Sequence, residues 1–239
     1  MADAPRERDV ELLSQLAEQL ARLDPRRPHP WRLCQAMATV LGADGAALTL
    51  SYLSTHRMVA GASDEVVSAV VDLEEVVGRG PGVDAAATGE VVSCTVGAVE
   101  EPRWPDFVLA ARERLGPLHL LLVPVRPVSR IDGVATFYRR ASGLDVLADE
   151  ARFLGNAVGV ALADVADTPA PVDAGAPWRS RAVVHQATGM VMGQVGVSPD
   201  DAVALLRAHA YATSTTMDAV ARSVVDRRIN FSDYRVEGD

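Results

Sequence analysis

Lysine is missing altogether: all 23 basic residues among the 239 are arginine. The codon bias of a GC-rich genome accounts for this, and it carries no functional meaning. Cysteine is scarce. Cys34 and Cys94 stand far apart without metal-ligand spacing around them, and in a reducing cytosol a structural disulfide is not expected. The five histidines, His29, His56, His119, His185 and His209, form no spaced pair that would clamp a metal. No apolar run approaches the roughly 18 residues a membrane span needs. The opening residues, Met1 to Asp9, lack the apolar core of a signal peptide. We therefore expect a cytosolic protein with no membrane partner. Paired carboxylates, a nucleophile elbow and a phosphate loop are missing too. Nothing supports an enzyme, and no catalytic residue, metal or cofactor is called for.

What is present is the composition of a folded globular chain, with 49% apolar and 23% charged residues. The length suits one large domain or two smaller ones. Net charge is −9, unevenly placed: residues 1–178 hold 16 arginines against 25 acids, and residues 179–239 hold seven against seven. An acidic body repels a polyanion, so any nucleic-acid contact should fall to the tail.

The clearest boundary is the Pro/Ala-rich stretch from Asp167 to Pro177, which has no core-facing period. We expect a large domain over 1–166, a linker over 167–178 and a small domain over 179–239. No internal repeat is visible. In the large domain, apolar spacing predicts helices over Val10 to Leu23 and Trp31 to Leu41. Alternation at Ala46, Leu48, Leu50 and Tyr52 predicts a strand, with Arg57 to Ala62 as its hairpin partner. Ser63-Asp64 marks a helix start with Val66, Val70, Leu73 and Val77 as its buried stripe, and the run Gly78 to Gly82 stops it. Strands are predicted at Glu90 to Thr95, Leu118 to Arg126 and Gly133 to Arg140. Helices are predicted from about Phe107 to Leu115 and over Ala148 to Val165. Together these make an α+β sandwich.

The tail reads as all helix. A first helix is expected from about Arg179 to Gln194. Ser198-Pro199-Asp200-Asp201 starts a second, with a capping serine, a first-turn proline and acids at the positive helix end. That helix buries Ala202, Leu205, Leu206 and either His209 or Ala210. Thr215 to Asp218 starts a third, with Met217, Val220, Ala221 and Val224 inward. Three short helices make a compact bundle.

Three ordered passages in the large domain, GRGPGVDAAATGEVV (78–92), RWPDFVLAA (103–111) and PLHLLLVPVRPVSRIDGVATFYRR (117–140), resemble the GAF domains of actinobacterial GAF–ANTAR regulators. The tail passage RAVVHQATGMVMGQVGVSPDDAVALLRAHA followed by MDAVARSVV (181–225) looks like an ANTAR domain almost end to end. The family's Ala-Lys-Gly, acidic-Ala, Leu-Leu-Arg and Asp-Val-Ala positions correspond to Ala187-Thr188-Gly189, Asp201-Ala202, Leu205-Leu206-Arg207 and Asp218-Ala219-Val220-Ala221. Thr188 stands where that pattern has a basic residue, and Ser214-Thr215-Thr216 replaces a polar and basic stretch.

The resemblance implies an N-terminal GAF-like antiparallel sheet sandwiched by helices, plus a C-terminal three-helix ANTAR bundle. It implies a non-catalytic homodimer that binds paired RNA hairpins to prevent transcription termination, under the control of an unknown small-molecule ligand in the GAF domain. The RNA-binding residues it points to are Ala187, Thr188, Gly189, Arg207, His209, Ser214 and Thr215. Gly80, Pro81, Cys94, Trp104 and Pro105 would frame the ligand site.

Each of these has a second reading. Gly189, with Ala187 and Gly193 nearby, either packs a neighbouring helix or admits an RNA loop, and packing is the commoner use. Arg207 either binds phosphate or covers apolar surface with its stem. His209 either stacks on an unpaired base or is a half-buried core histidine, and we favour the second. Tyr211 is expected to be exposed. Proline and glycine at 80, 81 and 105 also serve simply to end loops, and Cys94 reads as a small buried hydrophobe before a redox centre. The rival to RNA binding is a sensor and dimerisation protein whose ANTAR bundle has lost RNA affinity. A haem or redox sensor using Cys94 and a histidine is a further alternative.

Overall fold

The structure, a computed structural model, describes residues 7–52, 58–97, 102–128, 131–140, 144, 148–167 and 177–234. Its centre is a five-stranded antiparallel sheet of β1 (Gly45–Tyr52), β2 (Met58–Ala62), β3 (Val92–Val96), β4 (Leu118–Val128) and β5 (Ile131–Arg139), ordered β2-β1-β5-β4-β3. Leu48 lies opposite Ala135, and Leu120 opposite Tyr138. Because successive side chains of a strand point to opposite faces, each strand feeds two cores. Ala46, Leu48, Leu50, Leu121, Val123 and Phe137 face α1 (Glu7–Arg22), α2 (His29–Val40) and α6 (Ala148–Asp167). Ala47, Cys94, Val96, Leu118, Leu120, Leu122, Val134 and Tyr138 face α3 (Glu65–Val77), α4 (Pro81–Thr88) and α5 (Pro105–Leu115). The expected α+β sandwich is what the chain forms.

Two details depart from the sequence pattern. The alternation in β1 does not mark one buried and one open face: Ala47 and Thr49, between its apolar positions, are buried as well because α3 roofs that side, and Thr49 Oγ1 donates to the Val134 carbonyl at 3.3 Å. The run Gly78 to Gly82 ends α3 as expected, yet it also starts a helix, α4, that the sequence reading placed nowhere. Pro81 occupies the first helical turn, where its missing N–H costs nothing and its fixed φ suits the helix. A proline seen as a stop was also a start. The start of α3 is as predicted: Asp64 caps it, accepting from Val66 N at 2.8 Å and Val67 N at 3.0 Å.

The tail forms α7 (Pro177–Val195), α8 (Pro199–Ala212), α9 (Met217–Val225) and a closing 3-10 turn, Phe231–Tyr234. Ser198 caps α8 by accepting from Asp201 N, and Thr216 caps α9 by accepting from Ala219 N, both at 3.2 Å. The bundle buries Ala187, Val191, Ala202, Leu206, Ala210, Met217, Val220, Ala221 and Val224, with Phe231 as a lid that sequence reasoning did not place. α6 ends at Asp167 and α7 begins at Pro177. Of the connector expected over 167–178, Asp167 belongs to α6 and Pro177 and Trp178 to α7; residues 168–176, and His56, lie outside the described residues.

The bundle's inward face sets a measurable contrast. Leu206 is fully buried and Leu205 only half so. Leu206→Ala should cost about 3 kcal/mol in urea unfolding followed by circular dichroism, and Leu205→Ala about half of that or less. The opposite ranking would refute this orientation of α8.

Candidate nucleic-acid interface

The residues expected to meet RNA are distributed over the bundle in a specific way. On α7, Ala187 is entirely buried and offers no surface. Thr188 is buried beside it, and its Oγ1 donates to the Val184 carbonyl at 2.8 Å. This back-bond to the preceding turn commits the hydroxyl to its own helix. Gly189 and Gly193 are exposed, and among the described residues a Cβ built on either meets nothing within 4 Å. Among the described residues, then, they pack against no other helix of the chain, the commoner use of such glycines. They leave a bare strip on the outside of α7.

On α8, the His209 ring is half-buried and meets the Phe231 ring edge-on, with centroids 5.7 Å apart. It is part of the bundle's packing, the reading favoured from sequence. Tyr211 is 64% exposed, as expected. The turn into α9 is polar: Ser214 is exposed with φ of 51°, and Thr215 is half-buried with its N–H donating to the Ala210 carbonyl at 3.0 Å.

Arg207 faces a different way. Its Nε donates to the carbonyl of Glu75, in the last turn of α3, at 2.9 Å. Val76 of α3 packs against the tail's apolar cluster at the same seam. Asp72, one turn earlier on α3, sits there as well. Burial pushes its carboxyl above the usual carboxylate range; Arg114 of α5 pulls it back and Asp218 of α9 adds to the rise. Asp218 itself is paired with Arg222 at 2.7 Å. The candidate phosphate-binding arginine is thus held by the chain's own N-terminal half.

The residues expected around a sensor ligand converge on the face of the sheet that α3, α4 and α5 cover. Gly80 caps α4, Pro81 begins it, and Pro105 begins α5. Cys94 and Trp104, each 3% exposed, belong to one apolar cluster with Ala85 and Phe107. Trp104 Nε1 donates to Asp84 Oδ2 at 2.8 Å, tying the start of α5 to α4. Sequence reasoning missed Asp84, and it missed Glu74. Glu74 is 4% exposed, and its carboxylate accepts the Gly82 N–H. The clue was available: Glu74 falls on the same helical stripe as Val67, Val70 and Val71, where a charge is out of place.

Cys34 lies in the opposite core from Cys94, and burial pushes its thiol up to about 12. Such a thiol stays protonated and unreactive. Among the described residues no group of three or more His, Cys, Asp or Glu is placed to hold a metal, and no helix is long and apolar enough to cross a membrane.

The match that decides the tail's identity covers the three helices from the first residue of α7 to the last of α9. Residues 177–225 fit the family model of the ANTAR domain. The tail is an ANTAR domain. No curated protein sequence matches the chain. Among solved structures, the chain is similar to the A. aeolicus nlh2 GAF domain in an inactive state, at 11% identity and a TM-score of 0.43, covering 66% of this chain and 97% of that one. It is also similar to Escherichia coli SdiA, at 13% identity and a TM-score of 0.43, over 91% of this chain and 95% of that one. An RNA-binding light-oxygen-voltage receptor shares 18% identity over 76% of this chain and 46% of that one, with a TM-score of 0.22.

The seam between α3 and the ANTAR domain has a pH signature. Between the ordinary carboxylate range and the raised folded value, the folded chain keeps a proton on Asp72 that the unfolded chain has released. Stability therefore falls as pH rises through that window, and above it the full cost of burying the charge applies. Asp72→Asn should raise the thermal midpoint near neutral pH and lose that advantage in acid, where both forms are uncharged. A gain that persists unchanged in acid would show that charge is not its cause.

Proposed function

We propose that this chain is a signal-responsive RNA-binding regulator, in which the ANTAR domain binds paired RNA hairpins and so prevents a transcription terminator from forming. The observation that carries this reading is the ANTAR match over α7 to α9. The charge distribution supports it, since the tail is neutral while the rest of the chain is acidic, and a polyanion is repelled least there. The sensing half is the part up to the end of α6, the linker runs over 168–176, and the ANTAR unit starts at Pro177. The protein works without catalysis, in the cytosol, as a homodimer.

On this reading Gly189 is where the bare strip of α7 admits an RNA loop, with Thr188 and Ala187 beneath it shaping the helix rather than touching RNA. Ser214 and Thr215 supply polar contacts at the α8–α9 turn, His209 positions that end of α8 through Phe231, and Arg207 supplies a phosphate contact once it leaves Glu75. A small-molecule signal acts around Gly80, Pro81, Cys94, Trp104 and Pro105, where α4 and α5 begin. It shifts the population of domain arrangements through different affinities for the two.

One observation favours the second reading, an ANTAR bundle kept for dimerisation alone. Thr188, at the family's basic position, is neutral and turns its hydroxyl inward. A filter-binding titration of the full chain with tandem-hairpin RNA at low and high salt separates the two. Micromolar or tighter, salt-sensitive binding is expected, and Arg207→Gln should lower the slope of log affinity against log salt by about one unit. No binding at low salt by monomer or dimer would leave the dimerisation reading standing instead.

A further inference from the structure

The last turn of α3 is gripped on two sides by adjacent residues. On the sensor side, the buried Glu74 carboxylate accepts the N–H of Gly82 in the first turn of α4. The fit there is tight. A Cβ at Gly80 would lie 2.7 Å from Glu74 Cγ, and one at Gly82 would lie 2.4 Å from Glu74 Oε2. No side chain fits at either position while Glu74 stays where it is. One turn into α4, Asp84 takes the Trp104 indole N–H, so the start of α5 bears on the same short helix.

On the other side, the Glu75 carbonyl accepts from Arg207 Nε. Last-turn carbonyls point beyond their helix toward outside donors, and the negative end of the helix dipole favours a cation there. Gly78, at φ of 72°, closes α3 directly beneath that arginine, and a Cβ on it would lie 3.3 Å from Arg207 Cδ. Only Gly78, Arg79 and Gly80 connect α3 to α4. With so short a connection, the two helices' ends cannot move independently.

We propose that the last turn of α3 is a two-sided latch: while Glu74 holds the start of α4, the neighbouring Glu75 carbonyl holds Arg207 and the ANTAR domain stays docked, and loss of the first grip releases the second. Its consequence for RNA rests on the function proposed above, because only there does freeing Arg207 open a phosphate contact. A ligand that parts Trp104 from Asp84, or otherwise lifts the start of α4, thereby acts on the tail without touching it.

The test is hydrogen exchange by mass spectrometry on the full chain, with a parallel titration of tandem-hairpin RNA. Gly82→Ala, in α4 rather than in the tail, forces a methyl group into the Glu74 carboxylate. Glu74→Leu keeps a similar size but removes the acceptor oxygens, and it serves as the sensor-side variant if Gly82→Ala fails to fold. Val76→Asp breaks the seam directly and shows which peptides of α8 report its opening. We expect exchange in those α8 peptides to rise by roughly tenfold in the sensor-side variant, within the usual range of coupling between sites, and RNA affinity to rise with it.

Faster exchange at the start of α4 with α8 unchanged would overturn the latch. Faster exchange at both places, with no hairpin binding by any form at low salt, would uphold the latch and overturn the RNA reading. Wild-type chain given RNA offers an independent check. Binding should speed exchange in the last turn of α3, and RNA bound with that turn unaltered would overturn the proposal that the two compete for Arg207.

Discussion

Burial of the α3 stripe against the sheet fixes where that helix ends, and the tail docks on that end as well as on β2. Val67, Val70 and Val71 are driven under the β1 and β5 strands by the ordinary preference of apolar surface for an apolar neighbour. Once they are seated, the last turn is presented outward with Val76 and the Glu75 carbonyl on the side the ANTAR domain occupies. The helix is thus a core element of one domain and the docking surface of the next.

A buried carboxylate at this turn is expensive in an apolar setting unless its oxygens are hydrogen-bonded. Glu74 meets this demand with the backbone N–H of Gly82, at the positive end of α4, a favourable place for a carboxylate. The two glycines around it are explained by crowding more than by conformational freedom. The family resemblance draws attention to the Gly-Pro motif, and the structure supplies its physical content: Gly80 and Gly82 clear the space that Glu74 fills.

The helices with clean period and clear caps were legible from sequence. Asp64, Ser198 and Thr216 each cap the helix they were expected to start, because capping is local: a side-chain oxygen reaches an N–H two or three residues away. The α4 helix was not legible. Its eight residues, three of them alanine with one glycine and one proline, carry too little apolar periodicity to stand out, and it exists because the cores of α3 and β4 receive it. The Phe231 turn was missed for a similar reason, since one aromatic ring finding the edge of His209 is a contact without a sequence period.

Local chemistry written along the chain determined the strands, most helix starts, the neutral tail on an acidic body and the ANTAR pattern itself. These depend on spacings of a few residues or on composition, which a linear string records. Only the tertiary structure decided that Thr188 turns inward, that Gly189 faces open space, and that Arg207 is already engaged by Glu75, 132 positions away in sequence. Such pairings follow from how the packed faces of separate elements orient one another, and no local spacing encodes that geometry.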